Sequence, residues 1–171
     1  MNGRPRTPRA PAVLLVLPLL LAGALCACGF RLQGGAALPR SIALVRIETS
    51  DTESDFYFGL RKALLAAGTR IDEDGHDDAA TVIHVLNDSI AQRILSVSAL
   101  NVPTEYQLSY SLKFSVTSMG RDLIPAESHV LVRDYNFSEN QLLAKERETR
   151  ILSEALARDL VTVVMRRLSS L

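Results

Sequence analysis

The sequence predicts an α+β domain, a two-layer sandwich in which two helices lie on one face of a four-stranded mixed sheet, in the order β-α-β-β-β-α. Three observations predict it. First, residues 106–117 alternate without interruption: Tyr106, Leu108, Tyr110, Leu112, Phe114 and Val116 share one face, and Gln107, Ser109, Ser111, Lys113, Ser115 and Thr117 share the other. That is the period of a half-buried strand. Second, two separate stretches, one early and one at the end, carry apolar residues at helical spacing. Third, from Thr81 to the last helix the chain has strand chemistry, so the two helices can both cover one face, with a right-handed first crossover.

Residues 28–40 contain Gly34, Gly35 and Pro39 and read as a tether leading into the domain, which occupies 41–171. Residues 41–48 form the first strand; Ile42, Leu44, Val45 and Ile47 place apolar side chains on both sides, as a strand covered on both faces requires. A helix follows, with Asp51, Thr52 and Ser54 as candidate caps. Phe56, Leu60, Ala63, Leu64 and Ala67 form its buried stripe, and Gly68 its stop. Residues 72–78 collect Asp72, Glu73, Asp74, Asp77 and Asp78 around Gly75. They lack the spacing and distal glutamate of a calcium loop and read as a solvated turn.

From Thr81 the chain is strand-like for about half of the domain. Residues 82–86 and 90–97 are β-branched runs separated by Asn87, Asp88 and Ser89, a candidate bulge, and Asn101, Val102 and Pro103 mark a turn. After the alternating strand come a turn over 118–122 and a strand over 123–137 with Pro125 near its start. Ser138 and Gln141 then form an S-x-x-Q capping box. The helix it opens runs to about Leu168, with Leu152, Leu156, Leu160, Val163, Val164 and Leu168 on one side. At about 1.5 Å per residue it exceeds 40 Å, long for so small a domain.

Ahead of the domain lies a different kind of segment. Arg4, Arg6 and Arg9 precede an apolar run, Ala12 to Leu25, which ends at Ala27-Cys28. A basic start, a short apolar stretch and a small residue at the cut describe a secretory signal over 1–27 rather than a membrane span. Cleavage before Cys28 leaves Ala27 behind, whereas cleavage before Cys26 would leave the bulky Leu25. The pattern resembles a lipoprotein signal, with Cys28 as the lipidated first residue of the mature chain, carrying N-acyl and S-diacylglycerol groups. Gly29, where aspartate commonly retains lipoproteins at the inner membrane, points to the outer membrane. Several buried acyl chains make a stable anchor where one does not.

The mature chain has 16 basic and 19 acidic residues, a balance that gives no basic field for nucleic acid. With Cys28 acylated no thiol remains for a disulfide. His76, His84 and His129 are far apart and have no ligand spacing for zinc, so no metal is expected. No nucleophile elbow, phosphate loop or dinucleotide fingerprint occurs, so neither enzymatic activity nor a cofactor is expected.

Several short motifs in order complete the reading. Cys28-Gly29-Phe30-Arg31-Leu32, Thr104-Glu105-Tyr106-Gln107-Leu108, Gly120-Arg121-Asp122-Leu123-Ile124-Pro125 and Leu142-Leu143-Ala144-Lys145-Glu146 together resemble the LptE family of lipopolysaccharide-assembly lipoproteins. The resemblance covers nearly all of the mature chain. It implies a lipid-anchored protein on the periplasmic side of the outer membrane that plugs and helps assemble the LptD β-barrel, and that assists delivery of lipopolysaccharide to the outer leaflet. It also implies that basic residues meet lipid A phosphates. Lys145 matches one of these; Ala99 stands where the family has an arginine, and Arg93 and Arg121 are the candidates to serve the same end. The alternative is a lipoprotein adaptor of another envelope complex without lipopolysaccharide contact.

Overall fold

The structure, a computed structural model, describes residues 38–136 and 142–171, the first four of the latter by backbone alone. The signal segment, Cys28, and the capping pair Ser138 and Gln141 lie outside the described residues. A 3₁₀ turn, Arg40–Ile42, leads into β1, Leu44–Glu48; then come α1, Asp55–Ala66, β2, Arg70–Ile71, β3, Thr81–Val97, β4, Pro103–Ser118, β5, Arg121–Asn136, and α2, Leu142–Ser169.

The class is as expected, α+β with a mixed sheet, but the sheet has five strands rather than four, in the order β2-β1-β3-β4-β5. The extra strand is β2, two residues that pair in parallel with Leu44 and Val45. β1 also runs parallel to β3, while β3, β4 and β5 form an antiparallel meander. The two runs expected over 82–86 and 90–97 are one strand. A register shift between Val85 and Asn87 marks the bulge that the polar triplet suggested, and pairing with β4 continues past it.

Helix α1 begins at Ser54, whose Oγ accepts from the Tyr57 amide at 3.1 Å and donates to Asp88 Oδ2 at 2.5 Å. One side chain thus caps a helix and ties it to β3. Gly68 follows the helix with φ +86°, the left-handed conformation that ends it. α1 and α2 pack against each other closely enough that a Cβ on Gly59 would lie 3.1 Å from Val161 Cγ2.

The core lies between helices and sheet. Phe56, Leu60 and Leu64 from α1 and Leu156, Leu160, Val164 and Leu168 from α2 meet Val45, Ile83, Leu108, Leu112, Phe114, Val116 and Ile124 from the strands, with Ile42 from the 3₁₀ turn. Each large side chain so buried contributes about 1.5–3 kcal/mol.

On the opposite face of the sheet no helix packs among the described residues. β1 places Arg46 there, covered by the acidic loop: Arg46 donates to Asp72 Oδ2 at 2.6 Å and to the Asp77 carbonyl at 3.1 Å. Asp72 also accepts from the amides of Gly75 and Asp77. β1 is therefore covered on its second face by a loop held through an ion pair, not by apolar packing. The Arg46 hydrogen bond holds the Asp72 carboxyl below its usual range against the opposing effect of burial.

Candidate functional site

Cross-strand partners share a face, so the register sorts the residues of the meander. Ser89, Ala91 and Arg93 of β3 stand beside Ser111, Ser109 and Gln107 of β4, which stand beside Val130, Val132 and Asp134 of β5. This is the open face, and it consists mostly of small or uncharged polar side chains, with Gln107 donating to Asp134 at 2.8 Å. Val130 and Val132, 59% and 51% exposed, are large apolar members of it. Nearer β1, His84 lies 2.9 Å from Glu48 and 3.0 Å from Thr117 Oγ1. All six polar residues read from the alternation of 106–117 lie on this side, and their apolar partners lie in or against the core.

Strands of 16 and 17 residues are about 50 Å long at about 3.3 Å per residue, against a usual strand of about five or six residues. The helices do not cover that length. On the helix-facing side Ile90 and Ile94 remain 44% and 53% exposed, although they pair with Tyr110 and Tyr106 on the core side of β4. α2 stays bound to this region through polar groups. Gln92 Nε2 donates to the Tyr135 hydroxyl at 2.5 Å, and that hydroxyl shares a 3.1 Å hydrogen bond with Thr149 Oγ1. Tyr106 stacks on Tyr135 with ring centroids 5.6 Å apart. The β3–β4 turn beyond is apolar, with Leu100 86% exposed and Asn101 at φ 61° making the reversal.

The candidate lipid-binding residues divide between the two ends of the sheet. Arg93 lies opposite Gln107, close to the β3–β4 turn. The backbone of Lys145 lies in α2, one turn ahead of Thr149 and hence at the same end; its side chain is outside the described residues. Arg121 does not join them. It pairs with Ser118 at the β4–β5 turn, eleven residues along β4 from Gln107, or about 35 Å. Long hairpins put consecutive turns at opposite ends, so the expectation that Arg121 serves the same end as Arg93 is overturned. Ala99 lies in the β3–β4 turn, and Arg93 stands six residues below it on the open face.

A model of the LptE family, described as lipopolysaccharide-assembly, matches residues 40–168. The chain belongs to the LptE family. Among related proteins, the LPS-assembly lipoprotein LptE of Yersinia enterocolitica serotype O:8 / biotype 1B is 25% identical over 158 residues, spanning 91% of this chain and 75% of that protein. The LptE of Yersinia pestis strain Pestoides F is 26% identical, over 90% and 75% of the two chains. Two solved structures share the fold. Rare lipoprotein B from Shewanella oneidensis superimposes with a TM-score of 0.65 at 21% identity, covering 74% of this chain and 94% of that one. The uncharacterized lipoprotein B from Nitrosomonas europaea gives 0.67 at 23% identity, over 83% and 91%.

As an LptE member the chain is a lipoprotein of lipopolysaccharide assembly in a Gram-negative envelope. The features of its far end that no motif announced are the cleft beside α2 and the Gln92–Tyr135–Thr149 chain. Their one trace in the sequence is that the apolar stripe of α2 stops at Leu152 while the β3 apolar positions continue to Ile94. No group of three or more His, Cys, Asp or Glu able to hold a metal occurs among the described residues.

Proposed function

We propose that this LptE chain, anchored through Cys28 to the periplasmic leaflet of the outer membrane, plugs and helps assemble the LptD β-barrel and assists the passage of lipopolysaccharide to the outer leaflet. The observation that carries the reading is the meander of three long strands with an open polar face. A strand of about 50 Å exceeds the roughly 40–45 Å of a whole bilayer with its headgroups. The lumen of a large barrel is polar, and a face dominated by serine and glutamine side chains, with few charges, can lie against it at little desolvation cost. A lipoprotein adaptor of another envelope complex needs neither that length nor that face. Lys145 and Arg93 are the residues offered to lipid phosphates, since cation–phosphate hydrogen bonds are the strong ones.

The test is purification of the tagged full-length protein from its own outer membrane in detergent, with a photo-crosslinking residue at Ser109 or Ser111. The expected result is a stoichiometric large β-barrel that crosslinks from both positions. Recovery alone, or with an unrelated envelope complex, would overturn the plug and favour the adaptor. In the same preparations Lys145→Glu with Arg93→Glu is expected to reduce bound lipopolysaccharide at least about tenfold, the size of one lost charged hydrogen bond.

A further inference from the structure

A cleft of about 590 Å³ lies between the sheet and the first turns of α2, lined by Ile90, Gln92, Leu108, Thr149, Arg150 and Ser153 among others. Its two walls differ in kind. The strand wall is mainly apolar, Ile90 and Leu108, with Ile94 continuing toward the turn; its one polar member, Gln92, is engaged by the Tyr135 hydroxyl. The helix wall is polar, because the positions of α2 that are leucine at 152, 156 and 160 give way to Ser153, Thr149, Arg150 and Glu146. The Arg150 guanidinium forms no hydrogen bond or ion pair among the described residues, and Arg150 is the one arginine of the helix that lines the cleft.

From this arrangement we infer that the cleft holds one acyl chain of lipopolysaccharide, its head directed past Arg150. The inference rests on the reading that this protein contacts that lipid. A hydrocarbon leaves no polar group unsatisfied against Ile90 and Leu108, as an extended peptide would. The volume falls within the range of small-molecule sites. Charge sets the direction of the molecule. At its other end the cleft adjoins a second cavity, sharing Ile90 and Ser153 with it, that is lined by Asp51, Glu53, Asp55 and Asp88. Four carboxylates exclude an anionic head from that end. At the end where α2 begins, Arg150 stands against a single lining carboxylate, Glu146, so the phosphates leave there, and the chain tail lies over Ile90.

The protein contains no tryptophan, so a single Ile90→Trp or Ser153→Trp replacement in the lipidated full-length protein reports from one wall of the cleft. With lipopolysaccharide, both are expected to shift their emission to the blue, while Leu100→Trp at the β3–β4 turn is not. Deacylated lipopolysaccharide, which keeps the phosphates, and phosphatidylglycerol vesicles are both expected to leave the emission unchanged. A shift with the deacylated form would mean that the head alone is sensed, and a shift with the vesicles would mean a general lipid site; either overturns the proposal. So does an unshifted signal from Ile90→Trp and Ser153→Trp while lipopolysaccharide is retained by the same protein. If no lipopolysaccharide is retained at all, the cleft and the lipid contact both fail, and co-purification of the barrel decides separately whether the plug stands.

Discussion

Asp72 shows how one residue can be misjudged from composition. Five acidic residues around Gly75 suggest a loop facing solvent, yet Asp72 turns inward to accept from Arg46 and from two amides. Its carboxyl is held below the usual value near 3.9. A group depressed in the folded state stabilises the fold above its unfolded pKa, and that contribution disappears as the pH falls through the folded value. Urea midpoints measured at pH 7 and pH 3 should therefore differ less in Asp72→Asn than in the parent, with most of the loss appearing at pH 7. Single residues were legible where they act through their own strand or helix. Leu108, Tyr110, Leu112 and Phe114 are core residues, and Ser54 is a cap. They were not legible where their role depends on which turn meets which: Arg93 and Arg121 look alike in sequence but lie at opposite ends of the sheet.

Elements divide by length in the same way. β4 was readable because twelve alternating residues admit one interpretation, and α1 because its stripe, cap and glycine stop agree. β2 was not, since Arg70–Ile71 is two residues long and exists only because Arg70 donates to the Ala43 carbonyl and Asp72 to that of Val45. β3 reads as two strands because Asn87, Asp88 and Ser89 interrupt its hydrophobicity, while the bulge keeps both halves on one partner. The contact between the helices rests on an absent side chain. Gly59 leaves the space that Val161 fills, so Gly59→Leu must push the helices apart. Thermal or urea unfolding of this variant should show a loss of about 1–3 kcal/mol, as over-packing ordinarily does.

At the scale of the whole molecule, the apolar packing of the helices reaches only one end of the long sheet. Among the described residues the meander is thus a packed domain at one end and, at the other, a ribbon that α2 meets through polar groups. Amide exchange in the full-length protein should follow that division along one strand. Leu112, Phe114 and Val116 of β4, buried in the core, are expected to exchange at rates near those of global unfolding, and Glu105 and Tyr106 much faster. Equal protection along β4 would show that the ribbon is covered after all. The sequence alternation revealed the faces of this ribbon but not its lack of apolar cover, because that cover depends on where α2 stops supplying leucines. The placement of β1 has a mechanical consequence as well. The described chain reaches β1 through the 3₁₀ turn Arg40–Ile42, and β1 is held between β2 and β3 in parallel register. A pull from the N-terminal side along β1 would load those hydrogen bonds together, in shear, instead of peeling them apart one by one, so this strand is suited to resist force.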